Sequence, residues 1–310
     1  MRKLKDYILL YLKGIAMGAA DAVPGVSGGT IAFISGIYEQ LVTALRSFDP
    51  TAVRLLFRGN IKEAWEHIHG TFLAVLLSGI GTSLIIFSRL ILYWLEYYPE
   101  MIWAFFFGLV IASAVVIGKK IPHWNAGIVI SLAFGIAVGY YITVAVPAHT
   151  PETHIFVFFS GVIAICAMIL PGISGSFILV LLSKYEYVFT ALKEFNLAVI
   201  LVFGSGCAIG LLSFSHLLHW TLQRFRNITV AVLTGLMIGS LNKVWPWKTV
   251  LETYTTPSGK VKPLIVQNIL PTSYLDMTGK EPYLLYAVML AVFGFCLVYF
   301  LEKLSADEAV

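Results

Sequence analysis

The chain has 310 residues, of which 58% are hydrophobic and only 12% charged, with a formal net charge of +4 at pH 7. So few charges cannot clothe a soluble domain of this size, which makes the bilayer the expected solvent. The basic excess is scattered over short loops without the dense runs of a nucleic-acid surface, so it reads as a topology signal and nucleic acid is not an expected partner.

The chain opens with Met1-Arg2-Lys3-Leu4-Lys5, an apolar run and Ala20-Asp21-Ala22, the outline of a cleavable signal peptide. An internal copy argues against that reading. Residues 14–48 overlay 161–195 at a constant offset of 147 and match at 13 of 35 positions without a gap, where chance gives about two to four. The centre of the match is Pro24-Gly25-Val26-Ser27-Gly28 over Pro171-Gly172-Ile173-Ser174-Gly175.

Each copy predicts a break inside the membrane. Pro24 and Pro171 have no N–H to offer the carbonyls of Ala20 and Ala167, and Gly25 and Gly172 make continuation of the helix costly. The chain then resumes as a half-helix at Gly28 or Gly175, giving re-entrant hairpins over 14–48 and 155–195. Glu39 and Glu186 are expected roughly 16 Å further along a helix, near the two interfaces. There they serve gating or proton relay, or pair as interfacial carboxylates.

Residues 49–71 have no counterpart in the second copy. Asp49-Pro50 reads as the cap and first turn of a mixed apolar and charged helix lying along the membrane face. Full spans are predicted at 72–95, 101–118, 125–146, 196–220, 228–245 and 284–302. A second ungapped match at offset 127 pairs Gly79 with Gly206 and Gly108 with Gly235, so the modules are 1–146 and 147–310.

Three spans lie between the two motifs, and an odd number turns the second module upside down. The expected fold class is therefore an all-α polytopic membrane protein of two inverted-topology repeats, each a re-entrant helical hairpin followed by three transmembrane helices. Lysine and arginine counts, 13 facing in and seven out with the N-terminus inside, put both termini in the cytoplasm. The polar segment 246–283 is then exterior. Its Pro257-Ser258-Gly259 between β-prone runs suits a small hairpin, as a lid or a linker.

Inverted hairpins meet tip to tip, so two half-helix N-termini converge. Ser27, Gly28, Gly29 and Thr30 on one side and Ser174, Gly175 and Ser176 on the other offer donors suited to phosphate; the alternative is that the breaks only kink packed helices. Asp21, whose repeat partner is Met168, reads either as a proton or sodium coupling site or as a cap on hairpin N–H groups. Arg89 and His216 occupy equivalent span positions after Ser88 and Ser215, where each contacts phosphate or reaches water near a helix end. His219 lies one turn from His216, but two histidines without a carboxylate make no metal site. Cys166, Cys207 and Cys296 read as small buried hydrophobes, and no cofactor is called for.

With Gly-Ala-Ala-Asp-Ala-Val-Pro-Gly-Val-Ser-Gly-Gly-Thr at 18–30 and Leu-Pro-Gly-Ile-Ser-Gly-Ser-Phe at 170–177, most of the chain resembles the bacterial family known as domain of unknown function 368. The resemblance implies a polyprenyl-phosphate transporter, a flippase of the bacterial plasma (inner) membrane. It would return undecaprenyl phosphate from the outer to the cytoplasmic leaflet for reuse in cell-wall and surface-polysaccharide synthesis. It also implies a role for Asp21, Pro24, Gly25, Ser27, Gly28, Pro171, Gly172, Ser174 and Gly175. Undecaprenyl-pyrophosphate phosphatases have a similar Pro-Gly-x-Ser element, but follow its serine with an arginine where this chain has Gly28 and Gly175. No nearby Glu pair supplies their acid and base. A small-anion carrier would use the same half-helix ends without a lipid-open groove.

Overall fold

The computed structural model describes residues 4–307 other than 22, 24, 25, 149 and 256–260, and within them not the side chains of 87–89, 92, 254, 255, 261, 262, 264, 301 and 303–307. The first half runs α1 (Leu4–Asp21), α2 (Gly28–Ile34), α3 (Tyr38–Arg46), α4 (Pro50–Phe57), α5 (Ile61–His67), α6 (Gly70–Tyr97), α7 (Pro99–Lys119) and α8 (Ala126–Val144). The second runs α9 (His154–Ile169), α10 (Gly175–Leu181), α11 (Tyr185–Lys193), α12 (Leu197–Arg224), α13 (Arg226–Ser240), β1 (Lys248–Thr255), β2 (Val261–Asn268), α14 (Pro271–Thr278) and α15 (Leu284–Asp307). Large apolar side chains face outward, among them Ile130 on α8, Leu201 on α12 and Leu285 on α15. This is the surface of a multi-pass membrane protein, with apolar groups toward lipid.

Among the described residues α7, α8 and α12 are each long and apolar enough to cross a membrane, and the number reaches five only if each of two bent helix pairs, α5 with α6 and α10 with α11, is counted as one span. Six full spans were expected. The difference at 228–245 has a local cause: α13 stops at Ser240 after 15 residues, roughly 22 Å of rise. The chain then turns, and Asn242 donates to the Thr143 hydroxyl while Asn268 donates to the Asn242 carbonyl. Polar side chains with partners on other segments end this helix before the apolar run ends.

Both copies of the repeat build the same local device. The carbonyls deprived of a proline donor are taken by a residue three along, Val23 N–H to Ala20 at 3.0 Å and Leu170 N–H to Ala167 at 3.1 Å. Each seven-residue half-helix, α2 or α10, is followed by a left-handed residue at a matched position, Gly36 at φ 73° or Ser183 at φ 54°. Glu39 and Glu186 therefore do not stand further along a continuing helix, as expected; they open α3 and α11 beyond a turn, with 108° between α10 and α11. At one end of α2, Gly28 N–H donates to Asp21 Oδ1 at 2.7 Å, and at the other Lys13 Nζ donates to the Ser35 carbonyl at 2.8 Å. These contacts lay α2 back along α1.

Matched glycines bring the helices together. A Cβ on Gly79 would stand 2.3 Å from the Tyr11 carbonyl oxygen, and one on Gly206 would stand 2.1 Å from that of Phe158, so α6 lies on α1 as α12 lies on α9. The remaining helices exchange partners between the halves: α7 packs on α15 and α13 on α8. Backbone approach of this closeness supplies the van der Waals contact that holds helices together where lipid removes the hydrophobic drive.

Asp49 caps α4, its Oδ1 accepting from Thr51 and Ala52 N–H at 2.8 and 2.9 Å. The single helix expected over 49–71 is instead two, α4 and α5, because Gly59 at φ 75° breaks it. Phe57, Ile61 and Trp65 are exposed along this segment. At the other end β1 and β2 pair antiparallel, and the turn predicted at Pro257-Ser258-Gly259 lies outside the described residues. Tyr274 on α14 donates to buried Glu100 at the start of α7, anchoring 246–283 on the helices. Cys166 and Cys207 are half-buried, and Cys296, expected inside, is exposed on α15, which toward lipid carries no penalty for a small apolar side chain.

Candidate functional site

The first motif places its polar groups by capping. Ser27 has extended backbone at φ −122° and ψ 132°, and its Oγ accepts the Gly29 N–H at 3.1 Å. Asp21 takes the Gly28 N–H, and a Cβ on Gly28 would stand 2.5 Å from Asp21 Oδ2. Glycine at 28 is thus required by the carboxylate lying against it. A Cβ on Gly29 would stand 2.8 Å from the Ile169 carbonyl oxygen, so this second glycine lets the other motif approach.

The two motifs touch. Ser27 Oγ lies 3.3 Å from the carbonyls of both Met168 and Leu170, sharing its proton between them. The Tyr38 hydroxyl donates to the Ile169 carbonyl at 3.2 Å, and Gly172 N–H donates to Thr30 Oγ1 at 2.9 Å. Side chains from the cap and body of α2 and from the start of α3 thereby satisfy backbone groups that the second break leaves open. The relation is asymmetric. Ser174 has no capping bond and instead pairs with Ser176 at 2.8 Å, beside a small cavity bounded by Gly172, Phe177, Thr143 and Lys243.

The other expected residues are dispersed. Pro24 and Gly25 lie outside the described residues, as does the side chain of Arg89, whose backbone is in α6. Pro171 is buried in the second break and Gly172 adopts φ 87°. His216 is exposed on α12, with Nδ1 2.8 Å from the Leu212 carbonyl, and none of its hydrogen bonds among the described residues joins it to the tips. Glu39 pairs with Arg226 at 2.8 Å, tying α3 to the start of α13, with both side chains exposed. Glu186 is half-buried in the first turn of α11. Near Glu39, Thr43 Oγ1 and His219 Nδ1 lie 3.4 Å apart.

What sequence reasoning missed is a groove of about 550 Å³ between α1, α3 and α6 on one side and α9 and α12 on the other. Asp21, Gly29 and Met168 line one part of it, Leu76, Leu77, Ile80, Leu211 and Leu212 its walls, and Leu45 and Phe48 another part. Among the described residues Asp21 is the one ionisable residue in that lining, and its repeat partner Met168 faces the same space. A single carboxylate beside capped N–H groups thus gives an otherwise apolar lining one polar point.

A family model described as undecaprenyl phosphate translocase-like matches residues 17–262 of the chain. A protein of Vibrio cholerae serotype O1 named polyprenyl-phosphate transporter is 45% identical over 301 residues, covering 97% of this chain and 98% of that protein. A Staphylococcus aureus protein of the same name is 32% identical over 267 residues, covering 76% of this chain and 85% of its own length. No solved structure matches the chain.

Proposed function

The chain belongs to the undecaprenyl phosphate translocase-like family, and from that premise we propose that it carries undecaprenyl phosphate across the bacterial inner membrane, from the outer to the cytoplasmic leaflet. It is a transporter rather than an enzyme. The observation that carries the substrate reading is the apolar groove whose lining includes Asp21 and Gly29. Its volume falls in the range of roughly 300–1,000 Å³ used by small-molecule sites, enough for the prenyl segment next to the headgroup while the rest of the tail stays in lipid. A carrier of a small free anion has no use for such a wall.

In this reading α1 with α2 and α9 with α10 are re-entrant hairpins entering from opposite faces, with both termini cytoplasmic. The headgroup passes the paired tips at Ser27, Gly28, Gly29 and Thr30 and at Ser174, Gly175 and Ser176. Asp21 Oδ1, 2.7 Å from the Gly28 N–H, stands where a phosphate oxygen would stand. A charged Asp21 and a phosphate repel each other, so the exchange requires Asp21 to be neutralised by a proton or a bound cation. That requirement makes Asp21 the coupling residue.

Purified protein in liposomes should move undecaprenyl phosphate between leaflets, faster under a proton or sodium gradient. A leaflet distribution unchanged under every gradient overturns the reading. Phosphate release from undecaprenyl pyrophosphate would point to hydrolysis instead.

A further inference from the structure

Past the second break, on residues that the groove does not touch, α13 ends and the chain turns into β1. Two lysines turn inward there. Lys243 Nζ lies 4.0 Å from the centre of the Phe177 ring, and Lys248 Nζ lies 4.3 Å from the centre of the Trp103 ring. Lys248 also donates to the Lys243 carbonyl. Lys243 shares its small cavity with Gly172 and Ser174 of the second motif. Among the described residues neither lysine is in an ion pair, and Lys243 Nζ has no hydrogen-bond acceptor.

Two half-buried ammonium groups without a carboxylate are a poor stability device. Withdrawing an ammonium from water is costly, and an aromatic face returns only part of that cost. The bond to the Lys243 carbonyl uses one of the three Lys248 N–H donors and leaves two, and Lys243 Nζ has only the Phe177 face beside it among the described residues.

We propose that Lys243 and Lys248 form an anion site that receives the phosphate monoester headgroup of the lipid on the 246–283 side, before it reaches the paired tips; this rests on the transport reading above. The charges agree: a phosphate monoester carries roughly −1.5 to −2 near neutral pH, which two ammonium groups neutralise, whereas a prenyl alcohol offers them nothing. Lysine holds phosphate as a point charge rather than through a fixed fork, which suits a group that must be handed on. The aromatic faces of Phe177 and Trp103 hold the ammonium groups in place between substrates.

The test uses the full chain in nanodiscs and farnesyl phosphate as a short-chain probe. Lys243→Gln and Lys248→Gln should each weaken farnesyl phosphate binding at least about tenfold while leaving farnesol binding unchanged, and Lys243→Arg should keep most of the affinity. Inorganic phosphate should not displace the probe at equal concentration; if it does, the site takes free phosphate and the lipid assignment is overturned. In the wild-type protein, where folding is not in question, farnesyl phosphate but not farnesol should slow the labelling of Lys243 and Lys248 by an amine-reactive reagent, read by mass spectrometry. Unslowed labelling, or unchanged affinity in both glutamine variants, overturns the lysine assignment alone. Wild-type protein that binds no farnesyl phosphate overturns the transport reading and this site with it.

Discussion

The Gly172 backbone N–H donates to the Thr30 hydroxyl over 2.9 Å, joining two copies of one motif across 142 residues. Thr30 is fully buried, so its oxygen has a structural task that a neighbouring water cannot assume. Thr30→Val keeps the shape and removes the acceptor, leaving a buried N–H unsatisfied at a cost of about 1–3 kcal/mol. Thermal unfolding in detergent should show that loss for Val and little for Ser, and lipid flipping should fall in the same order. A Val variant equal to wild type in both assays would mean the tips are held by other contacts.

Asp21→Asn separates the two tasks of Asp21. The amide oxygen still accepts from Gly28 N–H, so the fold should survive, but the side chain no longer titrates or attracts a cation. Transport should lose its dependence on proton or sodium gradients. If wild type and variant respond alike to both gradients, Asp21 is a cap and nothing more; Asp21→Ala, which also loses the cap, should cost about 1 kcal/mol.

Leu77 lines the groove and is itself exposed, so a larger side chain there narrows the groove without overpacking a core. Leu77→Trp should slow flipping several-fold and weaken farnesol and farnesyl phosphate alike, because it acts on the tail rather than the headgroup. A selective loss of farnesyl phosphate binding would place the tail elsewhere.

What could be read from the sequence was local chemistry. A proline without an N–H, glycines that disfavour helix and an Asp-Pro pair each act within one turn, so the breaks and the cap at Asp49 were legible. The exchange of partners between α7, α15, α8 and α13 was not, because partner-facing and lipid-facing sides of such helices are equally apolar and leave no contrast in the pattern. The groove was hidden for the same reason: Leu73, Leu76, Leu77 and Ile80 follow helical spacing, yet so would a stripe facing lipid. Lys243 did carry a signal. An ionisable residue inside an apolar run marks either a site or the end of a span, and with Asn242 beside it the run 228–245 was too long by its last residues.

Asp49 offers a pH prediction outside the spans. Its carboxyl is held below the usual carboxylate value: burial is the largest single influence and pushes it up, but the hydrogen bonds from Ala52 N–H, the His67 ring and Thr51 N–H, with the attraction of His67, together outweigh it. The depressed value means that its stabilisation is present above the ordinary carboxylate range and is lost as pH falls through the folded-state value. Asp49→Ala should lower the thermal midpoint at neutral pH, by about 1 kcal/mol of cap. It should flatten the acid limb of the stability profile, whereas Asp49→Asn, which still caps, should flatten that limb with a smaller loss at neutral pH. Parallel acid limbs for all three proteins would remove Asp49 from the account.

Gly36 and Ser183 end the two half-helices at matched positions, both in the left-handed region, but only one of them is glycine. A Cβ in that conformation costs roughly 1–2 kcal/mol, partly offset by the greater freedom that glycine loses on folding. The same turn should therefore respond with opposite signs in the two copies. Ser183→Gly should raise stability by up to about 1 kcal/mol, and Gly36→Ala should lower it by about the same or more. Both substitutions lie at the far end of α2 or α10 from the tips, so transport by the folded protein should stay near wild type. Calorimetric midpoints moving in the same direction for the two variants would show that the copies do not share one turn geometry, and the equivalence of the two hairpins would fail with it.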